Sequence, residues 1–127
     1  MDRLRNAGIR VSMFIDPDRV QIEASMASGA EAIELHTGAY AACVDQNAEK
    51  SEYSRITGAS HLAADLGLKV NAGHGLHYQN VSRIAAVPEI SELNIGHSII
   101  AESVFVGLHK AVRTMKDLIL DSAMGRL

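Results

Sequence analysis

The sequence predicts an α/β fold of four parallel βα units, preceded by the tail of one more helix. Three observations carry that reading. Four short apolar runs, residues 10–15, 32–35, 68–72 and 92–95, are each bounded by Gly, Pro or Asp and short enough to be buried strands. The segments between them repeat apolar residues at helical spacing. Strands that alternate with helices imply a parallel sheet with right-handed crossovers.

The elements follow in order. Residues 2–6 read as the end of a helix, with Gly8 in its exit turn. After the first run, Asp16 is expected to cap a helix that begins at Pro17, where the missing proline N–H costs nothing. Val20, Ala24 and Ala27 then share a face, and Gly29 ends the helix. Residues 37–50, after the second run, are the least regular part and long enough for a functional loop. Ile56, Ala59, Ala63 and Leu66 share the face of the next helix, which Gly67 stops. After the third run Asn80 caps a short helix carrying Val81, Ile84 and Ala85, before Pro88. After the fourth, Val104, Leu108, Ala111, Met115, Leu118 and Ile119 form the longest apolar stripe.

Size and composition narrow the function. The 127 residues make one domain, 1–127, with 47% hydrophobic and 21% charged residues, a globular balance. A net charge of −3 and 4% aromatic residues disfavour a nucleic acid as the main partner. The single Cys43 excludes an internal disulfide framework and fits a reducing compartment. No apolar run reaches the ~20 residues of a membrane span, and the first residues lack a secretory pattern. The expected location is the cytoplasm. Four βα units make either a small open sheet or half of a (β/α)₈ barrel, which needs eight strands and ~200–250 residues.

In parallel α/β folds ligands bind at the carboxyl ends of the strands. The residues expected there are Asp16, Glu34 to Gly38, Asn71 to Gly75, and Asn94 to Ser98, which include three of the six histidines. Strand alternation turns Glu34 away from Ile33 and Leu35, so its carboxylate either acts or sits in a buried salt bridge. His74 lies between Gly73 and Gly75, as a proton donor or acceptor beside exposed backbone N–H groups, or as a solvated turn residue. Gly96-His97-Ser98 opens the last helical segment, as an anion cradle or an ordinary turn and cap. His36 shares the side of Glu34 and either orients it or lines the rim; His77 is open to either role. His61 and His109 fall within helices and read as surface or packing residues. A metal site built from Glu34, His36, His74 and His97 is the competing reading, without HxH or HExxH spacing to support it.

At these residues the chain resembles a known family. FID at 14–16, IELHTG at 33–38, VNAGHGL at 70–76 and LNIGHSII at 93–100 are similar, in order and spacing, to the pyridoxine 5′-phosphate synthases. The likeness runs from about Leu4 to about Leu120. It implies a (β/α)₈ TIM barrel of vitamin B6 biosynthesis. The implied reaction condenses 1-deoxy-D-xylulose 5-phosphate with 3-amino-2-oxopropyl phosphate and releases phosphate and water, with no metal or organic cofactor. By the same resemblance His74 is the proton donor and Glu34 stabilises the transition state. Gly75, Gly96 and His97 hold the aminoketone substrate, chiefly at its phosphate.

The resemblance covers only strands five to eight, the C-terminal half of such a barrel. The expected partners are small phosphorylated molecules, with no nucleic acid and no membrane. The half that carries another catalytic histidine, a glutamate base and substrate-gripping arginines has no counterpart here; Arg55 and Arg83 fall in helices away from the rim. The chain reads as a truncated product, a fragment or one half of a split barrel, inactive by itself. Two unpaired sheet edges and an exposed apolar inner face then lead to the expectation of a homo-oligomer.

Overall fold

The computed structural model describes residues 1–125. Its elements run α1 (Asp2–Asn6), β1 (Ser12–Ile15), α2 (Arg19–Ala27), β2 (Ala32–His36), α3 (Gly38–Ala41), α4 (Gln46–Asp65), β3 (Lys69–Gly73), α5 (Val81–Ala85), β4 (Ile90–Asn94), α6 (His97–Val106) and α7 (Leu108–Ala123). The four strands form one sheet in the order β1-β2-β3-β4, every pair parallel. Neighbouring parallel strands in chain order, each followed by a helix, are the arc from which a TIM barrel is built. Here the arc has two free edges, β1 and β4.

Strand alternation sorts the residues to two faces. Ile33 and Leu35 on β2 and Val70 and Ala72 on β3 pack against Ile22 of α2, Ile56, Ala59 and Ala63 of α4, and Ile84 of α5. Met13 and Ile15 of β1 and Leu93 of β4 extend this core to the sheet edges. Full burial of each large aliphatic side chain contributes about 1.5–3 kcal/mol, so this layer holds the sheet to its helices. α7 packs outside, against α5 and α6, through buried Ala111 and Met115.

The other face is polar. Lys69 and Glu92 form an ion pair across β3 and β4 at 3.1 Å, and Glu34 and Asn94 are hydrogen-bonded. The expected apolar inner face is therefore absent; Phe14, 56% exposed, is the large apolar side chain on these strands that stands open. Exposed apolar residues gather instead on α6 and α7, with Ile100, Val104, Phe105, Leu108 and Val112.

An irregularity sets the phase of β4. Val70 pairs with Ile90, but Asn71 pairs with Glu92, so Ser91 is bulged out of the ladder. Its hydroxyl donates to the Val70 carbonyl at 3.0 Å. A bulge shifts the side-chain alternation by one residue. Leu93 thereby enters the core and Asn94 comes to lie beside Gly73.

Several sequence expectations are corrected. The cap of α2 is Asp18, whose side chain accepts from Gln21 N, and α2 starts at Arg19 rather than Pro17. With that start Ile22 and Ser25 face inward and Val20 is 71% exposed. Residues 37–50 are mostly helical: α3 begins at Gly38, and Asp45 caps α4 by accepting from Asn47 N and Ala48 N. The long C-terminal stripe is broken by Gly107, at φ +83°, into α6 and α7, which leaves Val104 outside the core. Asn80 does precede α5, but its side chain turns back to accept from His77 N at 2.7 Å instead of capping.

Candidate functional site

The carboxyl ends of β2, β3 and β4 open into a cavity of about 490 Å³. Glu34, His74, Gly75, Gly96 and His97 all line it, as do Phe14, Asn94 and His77. The five residues singled out in the sequence are thus brought to one place from three strand ends.

Glu34 is half-buried, and its Oε2 accepts from Asn94 Nδ2 at 2.7 Å. The two residues stand on β2 and β4, and β3 runs between them. They meet because Gly73 leaves the space empty. A Cβ there would lie 2.5 Å from Glu34 Oε1 and 2.8 Å from the Asn94 carbonyl oxygen.

His74 has φ +84°, a left-handed backbone that a side-chain-bearing residue seldom adopts. Such strain persists only where surroundings enforce it. Thr37, fully buried, does so: its N–H donates to the Gly73 carbonyl at 2.8 Å, and its hydroxyl sits 2.7 Å from the carbonyl oxygens of both Gly73 and His74. Gly75 follows at φ +77°, where a Cβ would lie 2.7 Å from Ala41 Cβ. The loop beyond is tied by Asn80 Nδ2 to the Gly75 carbonyl at 3.4 Å, and the Tyr40 hydroxyl donates to the Asn80 carbonyl at 2.9 Å. Burial, then the Glu49 carboxylate, push the Tyr40 phenol up, so it stays a donor.

Gly96 is the residue before α6, with no side-chain cap on the helix, and a Cβ added to it would meet open space. The Ser98 hydroxyl donates to the Leu76 carbonyl at 2.9 Å, which locks this helix start to the His74 loop. Unpaired backbone N–H groups and the positive end of the helix dipole make such a terminus favourable to an anion. No lysine or arginine among the described residues lines the cavity. Arg83 is committed to Glu49 at 2.7 Å and to the Tyr53 ring, and Arg55 to Glu52 at 3.5 Å.

His36 does not bond to Glu34. Its ring lies 4.6 Å from that of His74, centroid to centroid, and its Nδ1 is 3.5 Å from Asp16 Oδ1. His61 bonds to Glu89 at 3.1 Å, far from the cavity, as expected of a surface histidine. Among the described residues no three His, Cys, Asp or Glu side chains gather as a metal-holding group. Desolvation and the carboxylates of Glu52, Asp45 and Glu49 push the Cys43 thiol up, away from the reactive thiolate.

The sequence reading assigned no task to Asn94, Thr37 or Phe14, and gave Gly73 a part in exposing backbone N–H groups rather than in making room for Glu34 and Asn94. The signal for Asn94 was its even spacing from Glu92 in a strand, a pattern that puts both on one face. Thr37 offered no signal, because its partners are backbone carbonyls 36 and 37 positions away.

Comparison with known proteins decides the family. The family model described as "Pyridoxal phosphate biosynthesis protein PdxJ" matches residues 1–121. The chain belongs to the PdxJ family. It is 58% identical over 119 residues to the pyridoxine 5′-phosphate synthase of Sulfurihydrogenibium sp. (strain YO3AOP1), covering 94% of this chain and 49% of that protein. The synthase of Photobacterium profundum is 55% identical over 120 residues, 94% of this chain and 49% of the relative. That of Blochmanniella pennsylvanica (strain BPEN) is 54% identical over 123 residues, 97% and 50%. The chain spans about half the length of the curated relatives it matches. No helix of the described residues is long and apolar enough to cross a membrane.

Proposed function

We propose that this PdxJ-family chain supplies strands five to eight of a pyridoxine 5′-phosphate synthase barrel, residues 1–127 acting as one unit. The reaction is the condensation of 1-deoxy-D-xylulose 5-phosphate with 3-amino-2-oxopropyl phosphate to pyridoxine 5′-phosphate, phosphate and water. One observation carries the reading: Glu34, His74, Gly75, Gly96 and His97 share a single cavity of about 490 Å³.

The chemistry follows from what each group can do. Ring closure with loss of water needs proton transfer to a departing oxygen, and His74 at the cavity wall is the donor. Charge develops on the condensing intermediates, and Glu34, fixed at its Oε2 by Asn94, meets positive charge with a preorganised carboxylate. Gly75, Gly96 and His97 hold the aminoketone phosphate at the start of α6 through backbone N–H groups. Glycine at 96 keeps the approach open, since nothing stands within 4 Å of its missing Cβ.

A second reading is a phosphate-binding half barrel that does not turn over alone. It is favoured by the absence of any lysine or arginine from the described cavity lining. A second phosphorylated substrate needs a cationic grip, and the other half of the barrel supplies it. The partners are small phosphorylated molecules and further copies of the chain, not nucleic acid, and the working compartment is the cytoplasm.

The test is a fusion. The first half of the Sulfurihydrogenibium relative is joined to this chain and assayed with both substrates. The fusion is expected to form pyridoxine 5′-phosphate, and His74→Ala to lower turnover about 10²–10⁴-fold. A folded fusion that binds both substrates and forms no product would overturn the reading.

A further inference from the structure

We propose that His36 is a positioning residue for His74, and that Asp16 sets the orientation of His36. The proposal deepens the reading of the cavity above and rests on it only where kinetics are concerned.

His74 needs positioning from outside its own backbone. Its φ of +84° is fixed by Thr37, but those bonds end at the carbonyls and leave the imidazole free to rotate about χ1 and χ2. A proton donor is effective only when its nitrogen is held toward the reacting atom. The contact that limits rotation is the His36 ring, 4.6 Å away and tilted 42°.

Three features serve that contact. Phe14 meets the His36 ring edge-on at 5.2 Å and lies 6.4 Å from that of His74, closing a cluster of three rings. Gly38 opens α3 beneath them; a Cβ there would lie 2.6 Å from His36 Cε1 and 3.1 Å from His74 Cδ2. Asp16 Oδ1 stands 3.5 Å from His36 Nδ1, so the carboxylate selects which edge of the ring turns toward β1. Asp16 is free to do this because Asp18 caps α2 in its place. An apolar side chain at position 36 would pack against Phe14 equally well, and the Asp16 contact would then have no partner.

The proposal is tested on the chain itself by histidine-selective acylation with diethyl pyrocarbonate, read by peptide mass spectrometry. His61, on α4 and away from the rings, is the internal standard in each sample. Asp16→Ala and His36→Leu are each expected to raise labelling of His74 severalfold relative to His61. The Hδ2 proton signal of His74 should move at the same time, as the ring current of its neighbour is lost or turned. Asp16 is 58% exposed, so its variant reports on orientation even if His36→Leu disturbs folding. Unchanged His74 labelling and an unmoved Hδ2 signal in folded Asp16→Ala would overturn the proposal. In the fused barrel Asp16→Ala is expected to lower kcat with KM unchanged. Altered labelling with unaltered kcat would uphold the positioning and overturn the assignment of His74 as the donor.

Discussion

Glu34 Oε2 and Asn94 Nδ2 meet at 2.7 Å from two strands that are not neighbours in the sheet. Two local departures from regularity bring them together. Gly73 removes the side chain that would stand between them, and the bulge at Ser91 rephases β4 so that Asn94 takes the same face as Glu34. A carboxylate held this way has one oxygen committed to Asn94 and the other over Gly73, a preorganised arrangement that costs no rearrangement during reaction.

Gly73→Ala tests this crossing. The new methyl would press on the Glu34 carboxylate and on the Asn94 backbone, which cannot rotate away. Overpacking of that kind costs about 1–3 kcal/mol. A urea unfolding midpoint lowered accordingly, with loss of the Asn94 side-chain amide shift, is the expected result.

His74→Gly should separate stability from function. A left-handed backbone costs a side-chain-bearing residue on the order of 1 kcal/mol, and glycine removes that cost. The variant is expected to unfold at the same or higher denaturant concentration than the parent chain. In the fused barrel it should lose about 10²–10⁴ in turnover, because the proposed proton donor is gone. A large fall in stability would show that the His74 ring contacts outweigh the backbone strain.

Gly96→Val is expected to leave folding within about 0.5 kcal/mol, as for an open surface position. Its φ of −122° is outside the left-handed region that favours glycine. The side chain would instead fill the space above the start of α6. Phosphate affinity should fall while the thermal midpoint stays in place, measured by calorimetry on both proteins.

The His61–Glu89 contact gives stability a defined pH dependence. The hydrogen bond to Glu89, then the charges of Asp65 and Glu89, raise His61 above its ordinary value of 6.5. The same hydrogen bond, then a backbone one, lowers Glu89 below 4.5. A raised histidine stabilises fully below 6.5, and that contribution is lost as pH rises through the raised value. A lowered carboxyl stabilises fully above 4.5, and that contribution is lost as pH falls through the lowered value. Thermal midpoints should therefore be highest from this contact between pH 4.5 and 6.5. His61→Gln should flatten the decline on the alkaline side; an unchanged profile would show the pair to be inert.

Much of this architecture was legible in the residues. Each expected strand lies within two residues of its observed bounds at either end, because apolar runs flanked by Gly, Pro or Asp leave little alternative. That Glu34, His74, Gly75, Gly96 and His97 would share one place was legible because they sit at or just beyond strand ends, where topology alone brings distant residues together. What stayed hidden has local causes. The first turns of α4 carry exposed Gln46, Asn47, Ala48 and Lys50, so no apolar stripe marks them before Ile56; Asp45 as a cap was the available sign. Asp16-Pro17-Asp18 offers two caps, and only the fold tells which is used. The apolar spacing of Val104 and Leu108 runs straight through Gly107, whose φ of +83° ends the helix there. The even spacing of Glu92 and Asn94 puts both on one face, but the bulge at Ser91 that turns this face toward Glu34 is announced by no periodicity.

The proposed function depends most on an anion cradle of Gly75, Gly96 and His97 beside Glu34 and His74. Backbone amide spectra of the ¹⁵N-labelled chain, recorded during titration with inorganic phosphate, test it most directly. Saturable shifts that centre on Gly75, Gly96 and His97, and vanish in Gly96→Val, are the predicted result. Saturable shifts that centre elsewhere, or the absence of any saturable shift at those three amides, would contradict it.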